Sequence, residues 1–371
     1  MKDKRKILFV IPSLFGGGAE RVFTHLINNL DRERYEPLLA LGTLRGAFLE
    51  KLNADVKIYE IKAERARKAV PALVKLVWSL RPQVVFSTLG MNFATTFAKP
   101  LFPPKTRVVV REGSSPTAFL ADVARQSPAR AYFYRKVYRY VYNFADVVIC
   151  QSDFMKRDYN ENLRVPAQKL HRIYNPVNIA EIDSLTQQKT RLYKGAGPHL
   201  VTVGRLAYEK AYDNLLRAFA IVHGKIPSAT LTFVGEGDDK NDLEKLTLEL
   251  QLDSDSIRFI GFQSNPYPYL KQADLFVSSS RYEGFSNVMV EALACGTPVI
   301  ATDCPSANRE VLIEGVNGWF AGNENVASLA ETINRAIIER KNMNFQAIRQ
   351  SCQSRFAIEQ ILPQYEKQFE E

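Results

Sequence analysis

Two cations, Arg205 and Lys210, follow the apolar run His199–Val203 and the single glycine Gly204. A guanidinium fork and a compact ammonium just past a buried strand can clamp a diphosphate. Two carboxylates come later: Glu283, within Arg281-Tyr282-Glu283-Gly284-Phe285-Ser286-Asn287, and Glu291, with seven residues between them. That spacing puts Glu283 in a loop ahead of a helix and Glu291 in the second helical turn, so one can reach a sugar hydroxyl and the other a ribose. The amides of Gly284, Phe285, Ser286 and Asn287 open that helix and can bind an anion or a hydroxyl. Glu291 stands among Val290, Ala292 and Leu293, and an acid with buried neighbours needs a partner. A third cluster is Gly16-Gly17-Gly18 with Glu20 and Arg21 behind it, where glycines let a phosphate approach the backbone. Arg21 occupies the place of the third glycine of a dinucleotide fingerprint, which disfavours an NAD oxidoreductase. Taken alone, Gly204-Arg205 with Lys210 also reads as solvated surface cations, and Glu283–Glu291 as a capping loop with a solvent-facing helix acid, a reading the apolar run Val288–Leu293 argues against.

The elements that must carry these residues are short apolar runs alternating with helices. Ile7–Ile11 reads as a strand buried on both faces, followed by the glycine turn and a helix with Val22, Phe23, Leu26, Ile27 and Leu30 on one side. Further strands are expected at Pro37–Leu41, Val56–Ile61, Val84–Ser87, Val108–Val110 and Val147–Cys150. The rhythm restarts with His199–Val203, Leu231–Val234, Ile257–Ile260, Leu275–Ser278 and Val299–Ala301. With 371 residues, two domains are expected. The fold class is α/β: two Rossmann-like doubly wound domains facing a central cleft, with ligand at the carboxyl ends of the strands. The expected boundaries are 1–180 and 181–355, with a linker near Asn178–Pro198 and the last helix, 356–371, packing back on the first domain.

Charge is unevenly shared. Residues 1–178 hold 30 Lys+Arg against 15 Asp+Glu, a balance of +15, and the remainder is −6, for a total of +9. The basic first half favours an anionic partner. Its densest segments are Ala63-Glu64-Arg65-Ala66-Arg67-Lys68 and Ala129–Phe144, where Arg130, Arg135, Lys136 and Arg139 alternate with Tyr132, Phe133, Tyr134, Tyr138, Tyr140 and Tyr142. A helix there has Phe133, Val137, Val141 and Phe144 as its inner face, and its outer face suits anionic headgroups or plain solvent. No nucleic-acid-binding motif accompanies the charge, so no nucleic-acid partner is expected. The four cysteines lie in apolar stretches without C-x-x-C pairing and read as buried thiols. The four histidines have no metal-ligand spacing, and no run approaches a spanning length. The basic start with its short apolar stretch reads as a first strand rather than a leader. A cytosolic protein, peripheral on the cytosolic face of the inner membrane, is expected.

The ordered set Gly17-Gly18-Ala19-Glu20-Arg21-Val22, Tyr174-Asn175-Pro176-Val177, Gly204-Arg205-Leu206 with Lys210, Gly235-Glu236-Gly237, Gly261–Pro266 and Ser280–Ala292 resembles the retaining GT-B glycosyltransferases of family 4. The closest resemblance is to the lipopolysaccharide-core and capsule type. The resemblance implies transfer of a hexose or N-acetylhexosamine from a nucleotide-sugar, UDP-linked, to a saccharide or lipid-linked acceptor. Arg205 and Lys210 would neutralise the diphosphate, so neither metal nor cofactor is implied. Glu283 and the amides of Gly284, Phe285 and Ser286 would hold the sugar, and Glu291 the ribose. Gly17 and Gly18 would admit the diphosphate and sugar, Gly235–Gly237 the nucleoside, and Arg258–Gly261, including Ile260, would flank the base.

Two departures stand out. Ala211 follows Lys210 where the family usually has glycine. The stretch Val110–Ser115 lacks the histidine that many members carry, leaving Arg111 and Glu112 as candidates for contacting acceptor or phosphate. A nucleotide-sugar epimerase and an inactive sugar-nucleotide or lipid-binding relative are the alternatives. Asp253-Ser254-Asp255, like a metal motif of another glycosyltransferase fold, reads as solvated surface.

Overall fold

The computed structural model describes residues 4–63, 66–113, 115–187 and 190–370, with only the backbone of Ala66 and Arg67. Glu64 and Arg65 of the first basic cluster, and Ser114, lie outside the described residues. Two compact units result, one of Met1–Pro176 with Ile358–Glu371 and one of Val177–Ala357.

In the first unit the strands are β1 (Arg5–Ile11), β2 (Tyr35–Leu41), β3 (Lys57–Glu60), β4 (Val84–Thr88), β5 (Arg107–Arg111), β6 (Val147–Cys150) and β7 (Leu170–Arg172). They form one parallel sheet in the order β3-β2-β1-β4-β5-β6-β7. The central strands carry unbroken apolar runs because helices cover both faces. Those helices are α1 (Gly18–Asn29), α2 (Ala66–Leu80), α3 (Met91–Ala98), α4 (Pro116–Gln126), α5 (Pro128–Tyr142) and α6 (Asp153–Leu163). The C-terminal helix Ile358–Glu370 completes one face, with Ile361, Tyr365 and Phe369 in the cluster built on Phe9, Phe23 and Phe86.

Helix α5 is rotated relative to the expected inner face. Tyr138, Val141 and Tyr142 are buried, whereas Phe133 is 64% exposed. The reason is aromatic packing: Tyr138 and Tyr142 stack at 5.5 Å, and Phe93 and Phe119 meet Tyr138 edge-on.

The second unit comprises α7 (Ile179–Leu185), β8 (His199–Val203), α8 (Tyr212–Lys225), β9 (Thr230–Val234), α9 (Lys240–Glu249), β10 (Ile257–Phe259), α10 (Tyr267–Gln272), β11 (Leu275–Ser278), α11 (Asn287–Cys295), β12 (Val299–Thr302), α12 (Asn308–Val311), β13 (Gly318–Ala321), α13 (Val326–Glu339) and α14 (Phe345–Phe356). Its parallel sheet runs β10-β9-β8-β11-β12-β13. Strand β13 is additional to the expected set; it is short, and its place is set by buried Trp319 and by Gly318 against Val299. Part of the expected linker is helical. Asn178 caps α7 by accepting from the Glu181 amide, and Asp183 pairs with both guanidinium ends of Arg349.

Each sheet reverses strand order once, at β1/β4 and at β8/β11. Loops leaving the carboxyl ends there diverge to opposite faces and open a crevice, the place where such sheets bind ligands. In the second unit the β8 and β9 loops touch backbone to backbone. A Cβ on Gly235 would sit 2.0 Å from the Gly204 carbonyl oxygen, and one on Gly237 2.2 Å from that of Leu206. Gly235→Ala, also at φ 144°, is expected to cost at least about 2 kcal/mol. Gly90→Ala, with open space and helical dihedrals, should be neutral or slightly stabilising. Urea unfolding of both variants checks the contrast; equal midpoints would show that the loops do not need this approach.

Candidate functional site

The β8/β11 switch point collects the residues singled out for chemistry. The loop after β8 carries Gly204 and Arg205 and ends in a single turn, Tyr208–Lys210. The loop after β11 carries Ser279–Ser286 and leads into α11. Between them the Lys210 Nζ donates to Glu283 Oε2 at 2.6 Å, and the Ser280 hydroxyl donates to the same oxygen at 3.1 Å. Ser279 Oγ donates to the Lys210 carbonyl at 2.7 Å. Burial alone would lower the Lys210 pKa, but the Glu283 carboxylate, with Tyr212 and Glu209, outweighs it and holds the ammonium above its ordinary value.

Arg205 is held differently. Its Nη2 donates to Glu209 Oε1 at 2.5 Å, four residues on and within the Tyr208–Lys210 turn, and the rest of the side chain stands in solvent. Burial would raise the Glu209 carboxyl, but the Arg205 hydrogen bond, backbone donors and Lys210 bring it below the ordinary range. Glu209 had no assigned role in the sequence reading. An acid four residues after Arg205 marks a pair only once the Tyr208–Lys210 turn folds it back, which the spacing alone does not report.

Ala211 adopts left-handed dihedrals, φ 50° and ψ 42°, and is buried. This is the conformation glycine adopts without cost, so the departure at this position is a local strain rather than a different loop.

On the β11 side, Gly284, Phe285 and Ser286 are buried; Ser286 stands at the N-cap of α11 without a side-chain cap bond, and Asn287 begins the helix. Phe285 packs edge-on against Phe356. Glu291 is buried in the second turn of the same helix. Gly235 donates its amide to the Gly261 carbonyl, and Ile260 donates to Phe233, so β9 and β10 bring Gly235, Gly237 and Ile260 to the carboxyl edge beside Gly204.

Arg258 is not part of this group. Its Nη1 donates to the Leu192 carbonyl at 2.9 Å, and it lines a concavity of about 680 Å³ at the amino ends of β9 and β10. Arg258 is the middle residue of β10, and its side chain is turned to Leu192 and this concavity rather than to the carboxyl edge, so a base-flanking role does not fit the side chain. Asp253 and Asp255 line the same concavity, and Asp253 Oδ1 accepts from the amides of Asp255 and Ser256 as a turn cap. Among the described residues no group of three or more His, Cys, Asp and Glu could hold a metal ion.

In the first unit Gly17 caps α1, and Gly18 opens it, at the carboxyl end of β1. Glu20, in the first turn, has its carboxyl raised by burial, against backbone donors and Arg111. Arg111 and Glu112, the acceptor candidates, turn inward. Arg111 is 1% exposed and donates to Asn175 Oδ1 at 2.5 Å and to Thr88 Oγ1. Glu112, 7% exposed, accepts from Asn92 Nδ2 at 2.7 Å and from the Tyr142 and Tyr159 hydroxyls, yet burial still raises its pKa. Both are committed to a buried polar network and present no surface to an acceptor. A charged residue at the end of a strand looks the same in sequence whether it faces out or caps the core.

Two doubly wound parallel-sheet units in one chain define the GT-B class of fold. The comparisons carry this to a family. Residues 16–181 match the model for glycosyltransferase family 4, and residues 185–350 that for glycosyl transferases group 1. The chain belongs to these family 4 GT-B glycosyltransferases.

It is 33% identical over 219 residues to an uncharacterized glycosyltransferase of Methanocaldococcus jannaschii, a match covering 55% of this chain and 52% of that one. The match to the N-acetylgalactosamine-N,N'-diacetylbacillosaminyl-diphospho-undecaprenol 4-alpha-N-acetylgalactosaminyltransferase of Campylobacter jejuni is 25%, over 91% of both chains. That to the lipopolysaccharide core biosynthesis glycosyltransferase LpsE of Rhizobium meliloti is 24%, over 87% and 86%. Anabaena HepE, crystallised with UDP, superposes with a TM-score of 0.77 at 22% identity, over 98% of this chain and 99% of that one.

Ala211→Gly is expected to raise stability by up to about 1 kcal/mol, since relief of left-handed strain exceeds the added chain entropy. A shift of the urea midpoint measures it; a lower midpoint would refute the strain.

Proposed function

We propose that this protein is a retaining glycosyltransferase that moves a hexose or N-acetylhexosamine from a UDP-linked donor to a saccharide or lipid-linked acceptor in cell-envelope polysaccharide or lipopolysaccharide biosynthesis. The observation that carries the reading is the Lys210–Glu283 pair at the switch point, with Arg205 beside it. An ammonium has three donors. Glu283 takes one, and the others can meet the β-phosphate that leaves. Glu283 keeps a second carboxylate oxygen for donor hydroxyls.

In this reading the acceptor hydroxyl attacks the anomeric carbon on the face the phosphate leaves. The C1–O bond to the β-phosphate breaks, and the acceptor proton passes to that phosphate oxygen. Arg205 and Lys210 stabilise the developing charge, so the protein supplies orientation and electrostatics without a cofactor. Glu291 binds the ribose, and Gly235, Gly237 and Ile260 flank the nucleoside. The relatives acting on a lipid-linked saccharide and on lipopolysaccharide core support the acceptor class. The HepE complex with UDP supports the nucleotide.

Lys210→Ala and Arg205→Ala are each expected to lower turnover by at least about a hundredfold. Arg205→Ala should unfold at a midpoint close to the parent, while Lys210→Ala, which leaves Glu283 without its ammonium, should unfold earlier but remain folded under assay conditions. The assay is acceptor-dependent release of UDP. Near-parental turnover in both would overturn the clamp. UDP-sugar conversion that needs no acceptor would favour the epimerase reading instead.

The first unit is proposed to work on an anionic membrane surface. Among the described residues no helix is long and apolar enough to cross a membrane. Helix α5 instead exposes Tyr132, Phe133 and Tyr140 beside Arg130, Arg135 and Lys136. Lys136 lies 4.7 Å over the Tyr132 ring. Aromatic rings with polar ends and flanking cations suit a headgroup layer. Replacing Tyr132, Phe133 and Tyr140 by serine should cut co-sedimentation with anionic liposomes several-fold and leave UDP binding intact. Equal sedimentation with neutral and anionic vesicles would count against it.

A further inference from the structure

Arg281 lies two residues before Glu283, and the proposed chemistry makes no use of it. Its side chain, mostly buried, nevertheless ties its own loop to three other segments of the second unit. Nη2 donates to both carboxylate oxygens of Asp213, at 3.0 and 2.7 Å, on the first turn of α8. Nε donates to Glu324 Oε1 at 3.2 Å, in the loop after β13. Nη1 donates to the Tyr208 carbonyl at 2.6 Å, and the guanidinium lies 4.2 Å over the Tyr208 ring. Its own backbone amide donates to the Glu209 carbonyl at 2.8 Å, while Asn323 donates to its carbonyl. One residue of the β11 loop therefore holds two successive residues of the turn that ends in Lys210. A planar five-donor fork can make these contacts together; an ammonium cannot.

We infer that Arg281 is the positioning residue of the diphosphate clamp: it fixes the Tyr208–Lys210 turn against the β11 loop and so places the Lys210 ammonium beside Glu283. The physical need is plain. Lysine is a flexible side chain, and Ala211 behind it sits in a strained conformation. Without an external tie the turn would sample other geometries, and the charge would be spread over them. The inference rests on the proposed function, since it takes Lys210 as the residue that meets the diphosphate.

A double-mutant cycle tests it, with UDP and uridine as probes in isothermal titration of the full chain. Arg281→Ala should weaken UDP by about tenfold or more while uridine binds as in the parent, because only the diphosphate end is disturbed. Arg281→Lys should recover only part of the loss. In Lys210→Ala/Arg281→Ala the loss should match that of Lys210→Ala alone. Parental UDP affinity in Arg281→Ala, or multiplied losses in the double variant, would overturn the positioning role. Should Arg281→Ala fail to fold, Asp213→Asn, which removes one anchor of the fork, takes its place in the cycle with the same expectations. Unchanged UDP affinity in Lys210→Ala would overturn the diphosphate reading itself, and this inference with it.

Discussion

The second unit is organised around one ion pair. Lys210 and Glu283 come from loops 73 residues apart, meet at 2.6 Å, and are largely withdrawn from water. A pair in that position contributes little to net stability, because desolvation offsets most of the attraction, but it is costly to break one-sidedly. Its consequence is geometric. For the pair to form, β8 and β11 must be neighbours, the β8 loop must pass under Gly235 and Gly237, and α11 must start where Ser286 stands. The order reversal of the sheet supplies the first condition, and the absence of Cβ atoms the second.

The first unit solves a different problem with similar parts. There the charged residues at the end of β5 are drawn into the core. Arg111, Glu112, Asn92, Asn175 and Gln151 hydrogen-bond to one another, with Gln151 donating to the Glu112 carbonyl and Asn175 to Gln151 Oε1. A buried network of this kind holds the carboxyl ends of β4, β5 and β6 in fixed register. It also leaves α5 free to turn its cations and three aromatic rings outward, since Tyr138 and Tyr142 anchor the inner side.

Much of this was legible in the residues. Parallel strands covered on both faces must be apolar throughout, so Ile7–Ile11, Leu231–Val234 and Leu275–Ser278 announce themselves. The glycine turns and the Glu283–Glu291 spacing depend on local geometry, which spacing reports. What spacing does not report is which way a side chain turns when both choices are chemically acceptable. Arg111 and Glu112 differ from Arg205 and Lys210 only in the partners the fold brings to them. The rotation of α5 has the same origin: Phe133 and Tyr138 are both aromatic, and the choice between them was made by Phe93, Phe119 and Glu112, far away in sequence. Arg281 carried no local mark at all, because its value lies in joining four segments. The strand β13 was missed because four residues led by glycine have almost no pattern.

The C-terminal helix has a temporal meaning. Tyr365 and Phe369 lie against Phe86, at 5.8 and 5.3 Å between ring centres, and Arg107 donates to the Gln368 carbonyl. These residues follow the whole of the second unit along the chain. During synthesis the first unit therefore precedes the second but keeps part of one sheet face, beside Phe86 and Arg107, uncovered until the last helix has been made. The half of the protein that starts first is the half that finishes last.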